Sequence, residues 1–421
     1  MKQFETRTTR RQFSILIMLS QWMIANSKQI SGFKNMVIND LFKEESADGV
    51  VLKSVVQRHR KDRPSIEFYY EFSGVHADEV DSSADPFAAA CLIKSMRANE
   101  PLEIGPSISN RLHVMLPRIR DIYHSWWPDL FKRIDIHTTP RLEPAPTPRN
   151  TMGTTFSGGV DSFYSLLKHH RDGSAIGRPL THIVFMRGVE TPIERAKGVE
   201  GSEEWVRAVA ENLGVRPVFG ATNVRTHIMT NWEKYDHGSA LASIALCLSP
   251  ILGFMCIPSA FSYRHLVPHG SSPLTDEMFS TDRMYIFHDG SEVTRAEKVE
   301  SIVSWNKDLA LRYLRVCLGN FGGAYNCGRC RKCVRTAIPL HVMGVAQGSD
   351  IFQYKGTDHW AGFLAKDHLE LLHENYDFAR RRGGSPEIVE MLDLAIRQRR
   401  FEQAVDELRS IAFVGEGDLN R

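Results

Sequence analysis

The chain has 421 residues, 42% of them apolar and 24% charged, with a formal net charge of +2. That length leaves room for two or three domains, and the composition is ordinary for a globular chain. The near-neutral balance argues against a strongly basic nucleic-acid binder, and no apolar run approaches the ~20 residues of a membrane span.

In chain order, Thr9-Arg10-Arg11-Gln12-Phe13 precedes an apolar run over residues 14–19, the outline of a twin-arginine export signal. No small-x-small cleavage site follows, so the segment is expected to be a basic pair before an amphipathic first helix, and the protein cytoplasmic. Residues 65–72 have β-type composition with partial alternation, 85–98 and 108–127 read as helices, and 134–137 as a closing strand. Together they predict a small N-terminal α+β domain over residues 1–139. Residues 140–149 hold four prolines in ten positions and predict a linker over 140–150.

Residues 151–339 alternate. Strands are expected at 182–186, 216–220 and 253–257, and helices at 202–213 and 239–252. This alternation predicts an α/β fold, a parallel sheet flanked by helices. Helices at 363–374 and 386–411 predict a helical C-terminal tail over 340–421. The arginines at 380–382 and at 397, 399 and 400 read as solvated helix faces.

Ser157-Gly158-Gly159-Val160-Asp161-Ser162 opens an amphipathic helix after a weakly apolar strand at 151–156. Paired glycines permit tight turns and leave N–H groups unshielded, and at a helix N-terminus those groups form an anion cradle. Ser157 and Ser162 add hydroxyl donors. Asp161 would be repelled by bare phosphate and is better suited to Mg²⁺ bridging phosphates. The loop has no lysine of the Walker type, so γ-phosphoryl transfer of that kind is not indicated.

Four of the seven cysteines, Cys317, Cys327, Cys330 and Cys333, fall within seventeen residues. Two C-x2-C steps put three thiolates around one point and Cys317 completes a tetrahedral set. A closed four-ligand site reads as structural zinc; an iron–sulfur cluster or buried free thiols are the alternatives. Cys91, Cys247 and Cys256 lie in apolar surroundings and read as buried hydrophobes.

The hexapeptide is the signature of the PP-loop (N-type) ATP pyrophosphatase superfamily. That resemblance implies ATP binding by Ser157, Gly158, Gly159, Val160, Asp161 and Ser162, with adenosine near Arg187 and Gly188, and an adenine nucleotide alpha hydrolase-like fold. It implies attack of a substrate on the α-phosphorus with release of pyrophosphate. Adding the cysteine cluster and Thr294-Arg295-Ala296-Glu297-Lys298-Val299, residues 151–339 resemble the 7-cyano-7-deazaguanine synthase (QueC-like) family. The implied substrate is 7-carboxy-7-deazaguanine, adenylated on its carboxylate. The implied acceptor is ammonia, giving an amide or nitrile. In relatives from antiphage defence systems it is a protein amine, which residues 1–139 would dock. The chain departs from the family at Asp236-His237-Gly238-Ser239 and across residues 262–276. From those stretches His237, Gly238, Ser262, Tyr263, His269, Gly270 and Asp276 are candidate substrate residues; an ordinary surface loop is the other reading of 262–276. A tRNA-thiolating enzyme and a non-catalytic nucleotide-binding scaffold are the competing functions. The charge balance disfavours the first, and the intact Asp161 the second.

Overall fold

The computed structural model describes residues 35–46, 48–58, 64–142, 148–171, 177–190, 193–194, 202–317, 326–345 and 350–417. The expected basic pair and first helix at 9–19 lie outside the described residues. The strands are β1 Met36–Ser46, β2 Gly49–Arg58, β3 Ile66–Ser73, β4 Leu102–Ile108, β5 Ile136–Pro140, β6 Met152–Thr155, β7 Leu180–Arg187, β8 Arg216–Thr222, β9 Phe254–Pro258 and β10 Tyr285–Asp289. The main helices are α1 Asp85–Ala98, α2 Asn110–Trp126, α3 Val160–Arg171, α4 Ser202–Leu213, α5 His237–Cys247, α6 Arg295–Tyr313, α7 Arg331–Val342, α8 Leu369–Arg381 and α9 Pro386–Gly417.

All ten strands join one mostly parallel sheet, in the order β10-β9-β6-β7-β8-β3-β2-β1-β4-β5. The half β8-β7-β6-β9-β10 is parallel throughout. Counted from β6, its order is 3-2-1-4-5. The chain leaves β6 toward β7 and β8, then returns to β9 on β6's other side. In such sheets a ligand crevice opens at that reversal, beyond the carboxyl ends of the strands. The loop of residues 157–162 follows β6 and sits there.

A domain of its own was expected over residues 1–139; the strands of its described part, β1 to β5, extend this same sheet. β3 pairs antiparallel with β8, from Tyr70 opposite Thr222 to Ser73 opposite Phe219. Alternation on β3 buries Phe68, Tyr70 and Phe72, and the first two meet Phe87 of α1 at ring distances of 5.3 and 5.6 Å. The same apolar core continues into α5, β9 and β10. Asn223 clips the seam, accepting from Tyr69 N at 3.1 Å and donating to Glu67 O at 2.7 Å.

This N-terminal part also supports the loops on the crevice side. The Tyr123 hydroxyl donates to Tyr235 O at 2.8 Å and lies 3.2 Å from Gly270 O. Trp127 and Phe131 pack edge-on against Tyr235 at 4.8 and 5.0 Å. The C-terminal helices lie on the opposite face, in a second core formed with α3, α6 and α7. The expected helix at 363–374 is broken: Trp360–Leu364 forms a short helix and α8 starts at Leu369. No helix among the described residues is long and apolar enough to cross a membrane.

Candidate functional site

β6 is short and buried at every position, wedged between β7 and β9. Weak apolarity suffices there because neighbouring strands and helices cover both of its faces. The turn that follows needs glycine. Gly158 has φ +78°, and a Cβ on it would fall 2.2 Å from the Trp205 ring. The turn delivers Val160 to the start of α3, whose first N–H groups have no intrahelical acceptor. The Ser157 hydroxyl accepts from Gly159 N at 3.4 Å, and the Ser162 hydroxyl donates to Gly159 O at 3.0 Å. The Gly158 carbonyl is tied to Arg315 N at 2.7 Å.

Asp161, expected to hold Mg²⁺, is here engaged by two cations. One of its oxygens pairs with Arg295 and the other accepts from Lys298 Nζ at 3.2 Å. Lys298 is fully buried and also donates to Ser259 O at 2.7 Å and Ser259 Oγ at 2.8 Å. Burial alone would raise the Asp161 carboxyl, but Arg295 and Lys298 overcome it and hold the group below the usual carboxylate range. Arg295 and Lys298 stand three residues apart on the first turn of α6, on one face. The Arg295 Nε–H is buried and among the described residues has no hydrogen-bond partner. A spare guanidinium donor, an ammonium and the open end of α3 fit an anionic ligand such as a polyphosphate. In the sequence Arg295 and Lys298 stand out only as part of a family likeness. Two cations at i and i+3 behind the Thr294 cap were the signal available.

Arg187 and Gly188 lie at the carboxyl end of β7. Arg187 is exposed and lies 3.5 Å from Glu203. Gly188 has φ +82°, and a Cβ there would meet Thr222 O at 1.8 Å, so glycine is needed for close strand approach.

The seven candidate substrate residues divide into two groups. His237, Gly238, His269, Gly270 and Asp276 come together. Gly238 N donates to Gly270 O at 2.8 Å, and a Cβ on Gly238 would fall 2.1 Å from Asp276 Oδ1. A Cβ on Gly270 would meet the Tyr235 backbone at 2.2 Å. These glycines serve backbone packing. Asp276, expected to contact substrate, is fully buried; it accepts from the Ser271 hydroxyl at 2.7 Å and pairs with His288 Nδ1 at 2.8 Å, so it braces the loop from beneath. His269 is also committed, with Nε2 2.6 Å from Glu233 O and Nδ1 accepting from Ser271 N at 3.2 Å. Ser262 and Tyr263 lie elsewhere, in a cavity of about 310 Å³ shared with α8, where the Ser262 hydroxyl donates to Glu374 at 2.9 Å.

His237 is the ring left available. Its ring lies tilted against Trp232, with centroids 4.3 Å apart and planes at 51°, and among the described residues no hydrogen bond engages its nitrogens. Burial and the nearby His269 and Lys332 push its pKa down to about 3, against the pull of Asp161. At neutral pH it is therefore an uncharged imidazole. Its NMR resonances are expected to stay flat from pH 7 to pH 4, while an ordinary histidine titrates near 6.5. A His237 midpoint above pH 6 would contradict this environment.

The cysteine cluster forms as expected. Cys317, Cys327, Cys330 and Cys333 place their sulfurs within 4.8 Å of one another and can hold a metal ion. Cys327 Sγ lies 3.9 Å from Cys333 Sγ, far beyond a disulfide. It matches the roughly 3.8 Å edge of a tetrahedron with 2.3 Å zinc–sulfur bonds. Cys327 Sγ accepts from Arg329 N at 3.4 Å and Cys330 N at 3.3 Å. Gly328 makes the turn at φ +75°. Asn326, missed in the sequence, holds the site together. It accepts from Val316 N at 2.8 Å and Cys317 N at 3.2 Å, and donates to Leu314 O at 2.8 Å and Ile351 O at 3.0 Å. A second group, His169, Cys256 and Asp289, is also close enough for a metal. There the Ser165 hydroxyl and Lys168 Nζ already occupy Asp289, both at 2.7 Å, which marks a polar brace under α3. Comparison with protein-family models, with curated proteins and with solved structures finds no match.

Proposed function

We propose that the chain is an ATP-dependent ligase that adenylates a carboxylate, releases pyrophosphate and passes the acyl group to an amine. The observation that carries this is the pairing of Arg295 and Lys298 with Asp161 at the open N-terminus of α3. The N–H groups and hydroxyls of residues 157–162 would hold the pyrophosphate portion of ATP, with adenosine toward Arg187 and Gly188. Arg295 and Lys298 would neutralise charge as it builds on the departing pyrophosphate. Asp161, the one carboxylate of the loop, would hold Mg²⁺, which when bound would supply charge neutralisation for the phosphates.

The substrate's carboxylate oxygen attacks the α-phosphorus as the bond to the β-phosphate oxygen breaks. An amine nitrogen then attacks the acyl carbon and AMP leaves. Positioning and charge neutralisation supply the catalysis. The residue likeness points to 7-carboxy-7-deazaguanine as the acid, and to ammonia or a protein amine as the acceptor. His237 beside Trp232 supports a heterocyclic substrate, since both rings are aromatic and among the described residues no hydrogen bond engages the imidazole nitrogens. The four-cysteine site would carry structural zinc, because four protein thiolates leave no open coordination position. Residues 36–140 share the sheet and core, so acceptor tests belong on the full chain.

ATP–pyrophosphate exchange across a panel of carboxylic acids tests this reading. Exchange is expected only with a suitable acid, and 7-carboxy-7-deazaguanine should support it best. Equal exchange with every acid, or none with any, would refute acid activation.

A further inference from the structure

We propose that the C-terminal helices complete the phosphate-facing site, with Glu374 of α8 as the residue that positions Arg295; the catalytic consequence rests on the ATP reading above. α6 begins with a capping box. Thr294 accepts from Glu297 N at 3.3 Å, and the Glu297 carboxylate reaches back to Thr294 N at 2.8 Å. That box leaves the backbone N–H of Arg295, the first residue of the helix, without an acceptor from α6 itself. Glu374 supplies one from 79 residues away: its Oε2 accepts the Arg295 N–H at 2.7 Å. Its other oxygen accepts from the Ser262 hydroxyl at 2.9 Å and lies 3.3 Å from His265 Nδ1.

The carboxylate is buried, so these groups take the place of its water shell. Its charge also complements the positive end of α6. Two further pairs hold α8 along α6: Arg381 to Glu297 at 2.9 Å, and Arg382 to Glu300. The first turn of α6 is therefore fixed between the loop after β9 and α8. Its side chains Arg295 and Lys298 are the two cations on Asp161. A shift of this turn moves both cations away from the anion site, which places residues of the C-terminal segment in control of phosphate geometry.

The test uses the full chain with Glu374→Ala and Glu374→Gln. Alanine removes the acceptor. Glutamine keeps an amide oxygen for Arg295 N–H and an amide donor for the Ser262 hydroxyl. In Glu374→Ala the amides of residues 295–298 are expected to exchange hydrogen at least ~10-fold faster, with those of 331–342 unchanged. ATP–pyrophosphate exchange should fall roughly 10–100-fold in kcat, since small misplacements of catalytic groups cost that much. Glutamine should restore both readouts to within about threefold. Should alanine not fold, Glu374→Asp, one methylene short, replaces it in both assays with the same expectations. Unchanged amide exchange at 295–298 overturns the positioning role, whether or not the enzyme turns over ATP. Faster amide exchange with wild-type kcat overturns the link to catalysis. Absence of ATP chemistry in the wild type defeats the functional reading itself, and the amide measurement still decides whether Glu374 fixes Arg295.

Discussion

Serine in place of Cys333 is expected to cost the protein its metal and on the order of 5 kcal/mol of stability, since a structural metal site contributes binding free energy to folding. Cys333 is completely buried in the first turn of α7, beside the capping residue Cys330. Contact with Cys330, together with burial, pushes the Cys333 thiol far above its usual range, and burial raises Cys327. Thiolates crowded in this way need a cation to neutralise them, and without one the cluster is held only as neutral thiols. The cysteines belong to the same core as α3, α6 and the C-terminal helices, so the loss spreads beyond one loop. Elemental analysis should find about one zinc per wild-type chain and none in the variant, and the thermal midpoint should fall by many degrees. A variant with unchanged midpoint, or wild-type protein that is fully folded without metal, would contradict a structural metal centre.

Lys298→Met should be the most damaging single change to chemistry that preserves side-chain volume. It removes a buried ammonium with three contacts, to Asp161 Oδ1 at 3.2 Å, Ser259 O at 2.7 Å and Ser259 Oγ at 2.8 Å. Removing one partner of a buried ion pair costs about 3–5 kcal/mol, and the low end applies here because Arg295 still faces Asp161. The rate effect should be of similar size in free energy. Loss of one preorganised charge aimed at a developing anion costs roughly 10²–10³ in kcat. Steady-state exchange kinetics on folded variant protein measure it, and a kcat within threefold of wild type would remove Lys298 from the phosphate site.

Local chemistry was legible in the sequence and long-range geometry was not. The hexapeptide and the four cysteines are short-range patterns, and the four sulfurs do come within 4.8 Å of one another. Helices α1 and α4 start and end where their apolar spacing indicated. The strands β1, β2, β4 and β10 were not read. β1 exposes most of its length after Ile38 and is held by backbone pairing that residue type does not encode. β10 carries His288 and Asp289 inside the protein, a polar end that masks a buried strand. The seam between β3 and β8 joins segments roughly 150 residues apart, and a proline-rich stretch between them suggested separate domains. At the site, Asp161 was assigned from its neighbours in sequence, while its partners lie 134 and 137 residues away. The glycines at 238 and 270 suggested a ligand loop because glycine's spacing says nothing about what fills the space. Here that space holds Asp276 and the Tyr235 backbone.

The central claim is that this site breaks ATP between the α- and β-phosphates. The direct measurement is the identity of the products when ATP labelled at the α- and γ-positions is incubated with full-length protein, Mg²⁺, 7-carboxy-7-deazaguanine and an amine. Arg295 and Lys298 beside an α3 N-terminus without a Walker lysine predict labelled AMP and labelled pyrophosphate, both dependent on the acid. Release of ADP with labelled orthophosphate would mean γ-phosphoryl chemistry, and the adenylation reading would fall.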